Sequence, residues 1–469
     1  MEQLPDDVLV MTMKKYLGVE DVIGCRLVCK RFAALALHPD VWRGRRIDRR
    51  YPHIRAKRYS TTVLHLAPCL EFYSTDMVPA LITTRCAISE LRLRVAKEGF
   101  IAAEYALAVR NQEALGRLKS LHLEYYSQCY SQVTGGDALM STLALCCGLE
   151  TLEISSSVPR TLRPVVHGPS SASLKTFKCE LIRNSASFVN TILAAHASTL
   201  ENVDLEVSYQ SLFERYNCWN SDDTARLLAG TPKLRWLVSS VLPGLEAVAV
   251  AARETLRILG LDFIAKDQPA VTEAARTLRK ATKLKNVSLT FRDDDDDDSS
   301  RPDFCGEVIE AIASPSIDYL LLRGCPPMEA LARKLPGLPA LSLLVVCTPL
   351  DDELDKLLLA ITPHAAPALR TLQLESHDDN YCTHAWMHRD AVSTVLTANP
   401  LLHIQVKYTT MCEEDVCPAC SLGCHKDDDE TAENWELGVH LQLFSHDHDK
   451  CPAPEKHETH GMQIQIRTS

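Results

Sequence analysis

A six-residue pattern, apolar-x-x-apolar-x-apolar, returns twelve times between residues 88 and 406, and it restricts the fold more than any other feature of the chain. It begins as Ile88/Leu91/Leu93, Leu118/Leu121/Leu123 and Leu149/Leu152/Ile154, and it ends with Leu369/Leu372/Leu374 and Leu401/Ile404/Val406. Its last two positions lie two residues apart, the period at which a strand presents one face. Successive copies are 22 to 34 residues apart, with apolar-faced helical stretches between them, such as 101–115, 188–195 and 271–278. Pro232, Pro269, Pro315, Pro336, Pro363 and Pro400 punctuate the segment ends. A strand and a helix of this size cannot bury their apolar faces singly, whereas stacked copies bury them together. A doubly wound α/β enzyme would also alternate strand and helix, but it needs a Gly-rich phosphate turn after a strand, and none is present.

This pattern resembles the leucine-rich-repeat family over residues 61–408. The resemblance implies an α/β solenoid with parallel strands on the concave face and helices on the convex face. The match is irregular. The turn position where that family favours Asn or Cys holds Tyr126, Ser157, Ile182, Ser208, Ile264, Arg292 and Pro349, with Cys325 the one agreement. A run at Val63-Leu64-His65-Leu66 reads as a degenerate opening strand. Strand alternation places Glu124, Glu153, Glu180, Asp204, Glu206, Trp236, Asp262, Tyr319 and Arg323 on the concave face as target-binding candidates. Its acidic members suggest a basic or mixed partner, and the two aromatics suit a binding surface.

The first forty-odd residues follow another rule. Val8, Leu9, Met13, Tyr16 and Leu17 recur at helical spacing after Pro5, followed by Val22, Ile23, Leu27 and Val28, then Phe32, Leu35, Ala36 and Leu37. Three helices this short make a marginal core that calls for a partner. Leu4-Pro5, Val8-Leu9, Tyr16-Leu17, Asp21-Val22, the run from Leu27 to Phe32, Pro39 and Val41-Trp42-Arg43 resemble the F-box family. Phe32 stands where that family often has Trp, and the first helix is one residue longer than the common spacing. The resemblance spans residues 1–43, and a basic linker, 44–60, follows. It implies docking on a Skp-type adaptor through Leu4, Pro5, Val8, Leu9, Leu27, Val28, Val41 and Trp42. Through a cullin scaffold it further implies an SCF-type ubiquitin ligase.

A net charge of −11 argues against nucleic-acid or membrane-surface binding. No apolar run reaches membrane-spanning length, no signal peptide is evident, and the 18 cysteines show no disulfide-framework spacing. These features point to a cytoplasmic or nuclear protein with reduced thiols. Residues 293–298 are six aspartates and read as a loop, 293–300. The tail, 409–469, is Cys/His-rich: Cys412, Cys417, Cys420 and Cys424 could hold a structural zinc, against free thiols with no cofactor. The segments 439–443 and 462–466 alternate as strands that could cap the last repeat. No hydrolase signature or phosphate loop appears. The expectation is therefore a non-catalytic substrate receptor of an SCF-type ligase. A repeat scaffold or inhibitor without a ligase role is the alternative, and an enzyme built on the Cys/His tail is a third class.

Overall fold

The computed structural model describes residues 4–48, 60–75, 78–95, 102–125, 136–155, 163–205, 222–292, 305–324, 326–376, 383–408, 439–446 and 462–465. The chain divides into two compact units, Met1–Leu234 and Arg235–Ser469.

The first unit opens with helices α1 (Asp6–Tyr16), α2 (Val19–Cys25), α3 (Lys30–Leu35) and the single turn α4 (Pro39–Trp42). Each start has a local cause. Asp6 and Asp7 open α1, the Asp21 carboxylate accepts the Gly18 N–H at 3.0 Å, and Pro39 sits in the first turn of α4. Repeats follow: β1 (Arg46–Asp48), α5 (Ser60–Leu66), β2 (Cys69–Thr75), α6 (Pro79–Thr83), β3 (Ala87–Val95), α7 (Ala102–Ala114) and β4 (Ser120–Tyr125). The unit continues through α8 (Gly136–Leu145), β5 (Thr151–Ser155), β6 (Thr176–Cys179), α9 (Ala186–His196), β7 (Asn202–Leu205) and α10 (Asp222–Ala229). Strands β1 to β7 pair in chain order, all parallel.

The second unit repeats the scheme with β8 (Trp236–Ser240), α11 (Leu245–Ala251), β9 (Ile258–Ile264), α12 (Gln268–Lys280), β10 (Asn286–Arg292), α13 (Gly306–Glu310) and β11 (Tyr319–Arg323). Next come α14 (Met328–Lys334), β12 (Leu343–Cys347), α15 (Asp352–Ala360), β13 (Thr371–Glu375), α16 (Thr383–Met387), α17 (Asp390–Ala398) and β14 (His403–Tyr408). β8 to β14 are parallel neighbours. β15 (Val439–Phe444) then joins β14 antiparallel, and β16 (Met462–Gln465) joins β15 in parallel. The chain is thus a small helical domain followed by a leucine-rich-repeat solenoid, with all twelve patterned segments forming strands β3 to β14.

In β5 the buried residues are Leu152 and Ile154 and the ones between are half-exposed. That alternation, shared by β6 and β7, turns one sheet face to the helices and leaves the other open. Backbone at the turns that enter several strands is satisfied by side chains further along the chain. Gln112 Oε1 accepts the Ile88 N–H at 3.0 Å while its amide donates to Cys86 O at 3.2 Å. His196 Nδ1 accepts the Ser173 and Leu174 N–H groups at 3.1 and 3.2 Å, its pKa lowered by burial, which favours this neutral form. Ser314 donates to Leu284 O at 2.7 Å and Asn399 to Ile361 O at 2.9 Å. Buried turn backbone must be satisfied, and here the helix that follows the strand, or the residues at its end, does it.

Two expectations are corrected. Residues 63–66 are not a strand but part of α5, because Val63, Leu64 and Ala67 pack inward at helical spacing. The segment expected to be all linker contains β1 at Arg46–Asp48. No helix among the described residues is long and apolar enough to cross a membrane.

Gly324 ends β11 at φ +75°, and a Cβ there would collide with the Phe291 carbonyl oxygen of the neighbouring strand. Gly116 has φ +76° with open space around it. Gly324→Ala should therefore cost at least about 2 kcal/mol, and Gly116→Ala about 1 kcal/mol. Denaturant unfolding of both variants checks this, and equal losses would sink the argument.

Candidate functional site

The N-terminal domain sorts its apolar residues into a core and a surface. Leu9, Met13, Val22, Leu35, Ala36, Val41 and Trp42 are buried. Trp42 is 0% exposed, its indole N–H donates to Ala36 O at 2.6 Å, and Arg45 packs over its ring. Arg45 in turn donates to the carbonyls of Val41, Met13 and Leu17 at 2.7, 2.8 and 3.1 Å, closing the C-terminal end of α1. Leu9, Val41 and Trp42 were expected to meet an adaptor. Here they fill the domain's own core.

Leu27 and Val28 are 89% and 68% exposed in the turn after α2. Val8 and Met11, also exposed, share one α1 face at i, i+3 spacing, and Leu4 is exposed just before that helix. Arg31 ties the two together, pairing with Asp6 at 2.6 Å and donating to Leu4 O at 2.5 Å, so the Leu27–Val28 turn lies at the same end of the domain. Pro5, another expected contact, is exposed at the N-cap of α1.

The open face of the first unit is polar and internally paired. Phe72 is buried there beneath two guanidinium groups, those of Arg46 and Arg92, at 4.5 and 5.7 Å. Arg46 reaches Glu90 at 3.3 Å, and Arg94 and Arg92 reach Glu124 at 2.9 and 3.4 Å. Asp204 holds Lys178 at 2.6 Å. His122 Nδ1 lies 2.8 Å from Glu153, and that hydrogen bond, acting against burial, holds Glu153 below the usual carboxylate range. The expected acidic stripe is therefore a ladder of cross-strand ion pairs. Glu180 is buried after β6 rather than displayed, and Glu206 lies outside the described residues.

In the second unit Asp262, also expected to be exposed, is buried in an ion pair with Arg292. Trp236 is 42% exposed at the start of β8. Leu321, Val345 and Cys347 form an apolar cluster on the open face, with Tyr319 and Leu343 packed against it. Glu375 accepts from Lys407, Gln373 and Cys347 at 2.9, 2.8 and 3.1 Å. Burial opposes its ionised form, yet these donors outweigh burial and bring its pKa to about 2. Burial, then the adjoining Glu375 carboxylate, push the Cys347 thiol up to about 12. Arg323 stands exposed at the end of β11.

Ser120 Oγ lies 2.8 Å from His122 Nε2, which completes a Ser–His–Glu chain with Glu153. The surroundings do not support acyl chemistry. Glu90 approaches the same Nε2 at 3.8 Å, and the nearby N–H groups of Lys119, Glu150 and Thr151 are spent on backbone carbonyls. Among the described residues no His/Cys/Asp/Glu group could hold a metal ion. Cys412, Cys417, Cys420 and Cys424, the zinc candidates, lie outside the described residues, as does the acidic run 293–298.

Because the folded pKa of Glu375 lies below its ordinary 4.5, its stabilisation is full above about pH 4.5 and is lost as pH falls towards about 2. Glu375→Gln should lower stability at pH 7 by about 1–2 kcal/mol and flatten the stability profile between those pH values. Unfolding curves across that range would refute the assignment if both proteins lost stability in parallel.

The F-box-like family profile matches residues 1–48. No curated protein sequence matches the chain. Among solved structures, a leucine-rich-repeat-containing protein, LegL7 from Legionella pneumophila, aligns at TM-score 0.36 and 13% identity over 70% of this chain and 96% of that one. The Rad7 and Elc1 complex in yeast aligns at TM-score 0.34 and 14% identity over 82% and 92%. At such scores the likeness adds nothing to the fold, which stands on its own strand register. Residues 1–48, with their buried Trp42 and exposed Leu27–Val28 turn, are an F-box-like domain.

Proposed function

We propose that the chain is the substrate-recognition subunit of an SCF-type ubiquitin ligase. In this reading the N-terminal domain docks on a Skp-type adaptor and, through it, on a cullin scaffold. The open faces of the repeats bind a target protein. The observation that carries the reading is the exposed apolar set of Leu4, Val8, Met11, Leu27 and Val28 on a domain that matches the F-box-like profile. A domain this small gains from covering such a set, and a protein partner is the means of covering it. The subunit performs no bond chemistry. It raises the effective concentration of target lysines near the ubiquitin-charged enzyme.

The sorting of core from surface selects the variant. Leu27→Asp/Val28→Asp alters exposed residues, so the chain should keep its fold. If each side chain contributes about 1.5–3 kcal/mol on burial, adaptor affinity should fall by at least about 100-fold. Trp42→Ala should instead unfold the N-terminal domain, at a cost of about 3–5 kcal/mol. The measurement is co-purification of adaptor and cullin with the full-length chain, with circular dichroism on each variant. Absence of both proteins from the wild-type preparation would leave the chain a plain repeat scaffold.

A further inference from the structure

The pairing of strands sets the open face of the second unit out in rows. Tyr319 lies beside Leu343, Leu321 beside Val345, and Cys347 beside Glu375. Leu320, Leu322, Leu344 and Val346 turn the other way and are buried in the main core. The cluster of Leu321, Val345 and Cys347 is thus a second apolar set on the opposite side of the sheet, with Leu321 and Val345 as its floor and the half-exposed Tyr319 and Leu343 as its accessible lip. Ser288 and Gln373 flank the floor on the neighbouring strands, so the apolar surface is two strands wide.

The charges beside it are unevenly matched. Asp262 is paired with Arg292, and Glu375 with Lys407. Arg323 is exposed, it lies beside Thr290 on one neighbouring strand and hydrogen-bonds the Cys347 thiol on the other, and no carboxylate pairs with it among the described residues. Arg323 lies four residues beyond Tyr319 on the same face of β11, about 13 Å along the strand. An extended peptide has the same two-residue period. One peptide face can therefore seat an apolar side chain on the lip of the cluster and present a carboxylate to Arg323.

Resting on the receptor reading above, we infer that the second unit binds an extended target segment carrying an apolar residue and, four positions away on the same face, Asp or Glu. The apolar residue covers Tyr319 and Leu343, and the carboxylate pairs with Arg323. This differs from the preference for a basic target that the acidic residues of the sequence suggest, because Glu124 and Asp204 are already paired with Arg92, Arg94 and Lys178. Beside the cluster the charge left to a partner is that of Arg323.

The test is selection of a random nonapeptide phage library on immobilised full-length protein, wild type, Arg323→Glu and Leu343→Ser in parallel. Arg323 is exposed and Leu343 half-exposed, so both variants should melt with the wild type. Wild type should enrich apolar-x-x-x-Asp/Glu or its reverse, and a peptide of that sequence should bind Arg323→Glu at least about tenfold more weakly. Selection on Arg323→Glu should enrich Lys or Arg at the acidic position, and Leu343→Ser should lose the apolar requirement. The inference is overturned if wild type enriches no sequence, if the enriched sequences lack an acid, or if Arg323→Glu enriches the same ones. Adaptor capture, run on the same preparations, keeps the two readings apart. Capture without the motif rejects only this inference, and the motif without capture rejects the ligase reading.

Discussion

Each strand of the repeats carries two apolar side chains towards the helices, and no repeat can bury that pair alone. Leu152 and Ile154, or Leu344 and Val346, are almost completely covered only because a helix lies over them and further strands stand on either side. Everything else in the repeats is secondary to this seal. It fixes which strand face is open, and so which residues are free to carry recognition. It also tolerates irregular repeat lengths, since a helix can cover its strand across a short or long connection. The side chains that satisfy the turns entering the strands show the same tolerance. Gln112, His196, Ser314 and Asn399 satisfy turn carbonyls and amides from helices or their ends, so no fixed position in the strand pattern has to do so.

The N-terminal domain obeys the opposite economy. With so few residues it can seal only one side of each helix, and it uses its largest side chain, Trp42, for its own interior. Arg45 then gathers three carbonyls from α1 and α4 around that indole. What remains outside, in the turn between α2 and α3, is apolar because it follows from the same short helices: there is no second layer to fold it under.

How much of this could be read from residues alone depended on range. The period of two within a strand is local, so β3 to β14 and the closing pair β15 and β16 were legible. The exposure of Leu27 and Val28 and the burial of Leu9, Val41 and Trp42 were not, since helical spacing does not say which apolar residue faces inward. The short β1 lacks the apolar triplet that marks the others, and Val63 and Leu64 fit a strand or a helix equally until their neighbours are known. The open faces were the least legible. Glu124 and Arg94, or Asp204 and Lys178, are 26 to 30 residues apart in sequence and touch only because of register. Acids counted along the chain therefore suggested a negative surface that the folded ladder cancels, and the unmatched Arg323 became visible only once its strand neighbours were known.

The reversal of direction at β15 bears on how such a chain can change over generations. Between parallel neighbours such as β11, β12 and β13, a duplicated strand–helix copy would present the same edge it displaced, and the stack could lengthen or shorten one copy at a time. β15 runs antiparallel to β14, so its far edge no longer offers the pattern a further copy needs. Growth by duplication is open within the parallel run and closed beyond it, which makes β15 the punctuation that sets where the repeat count is read from.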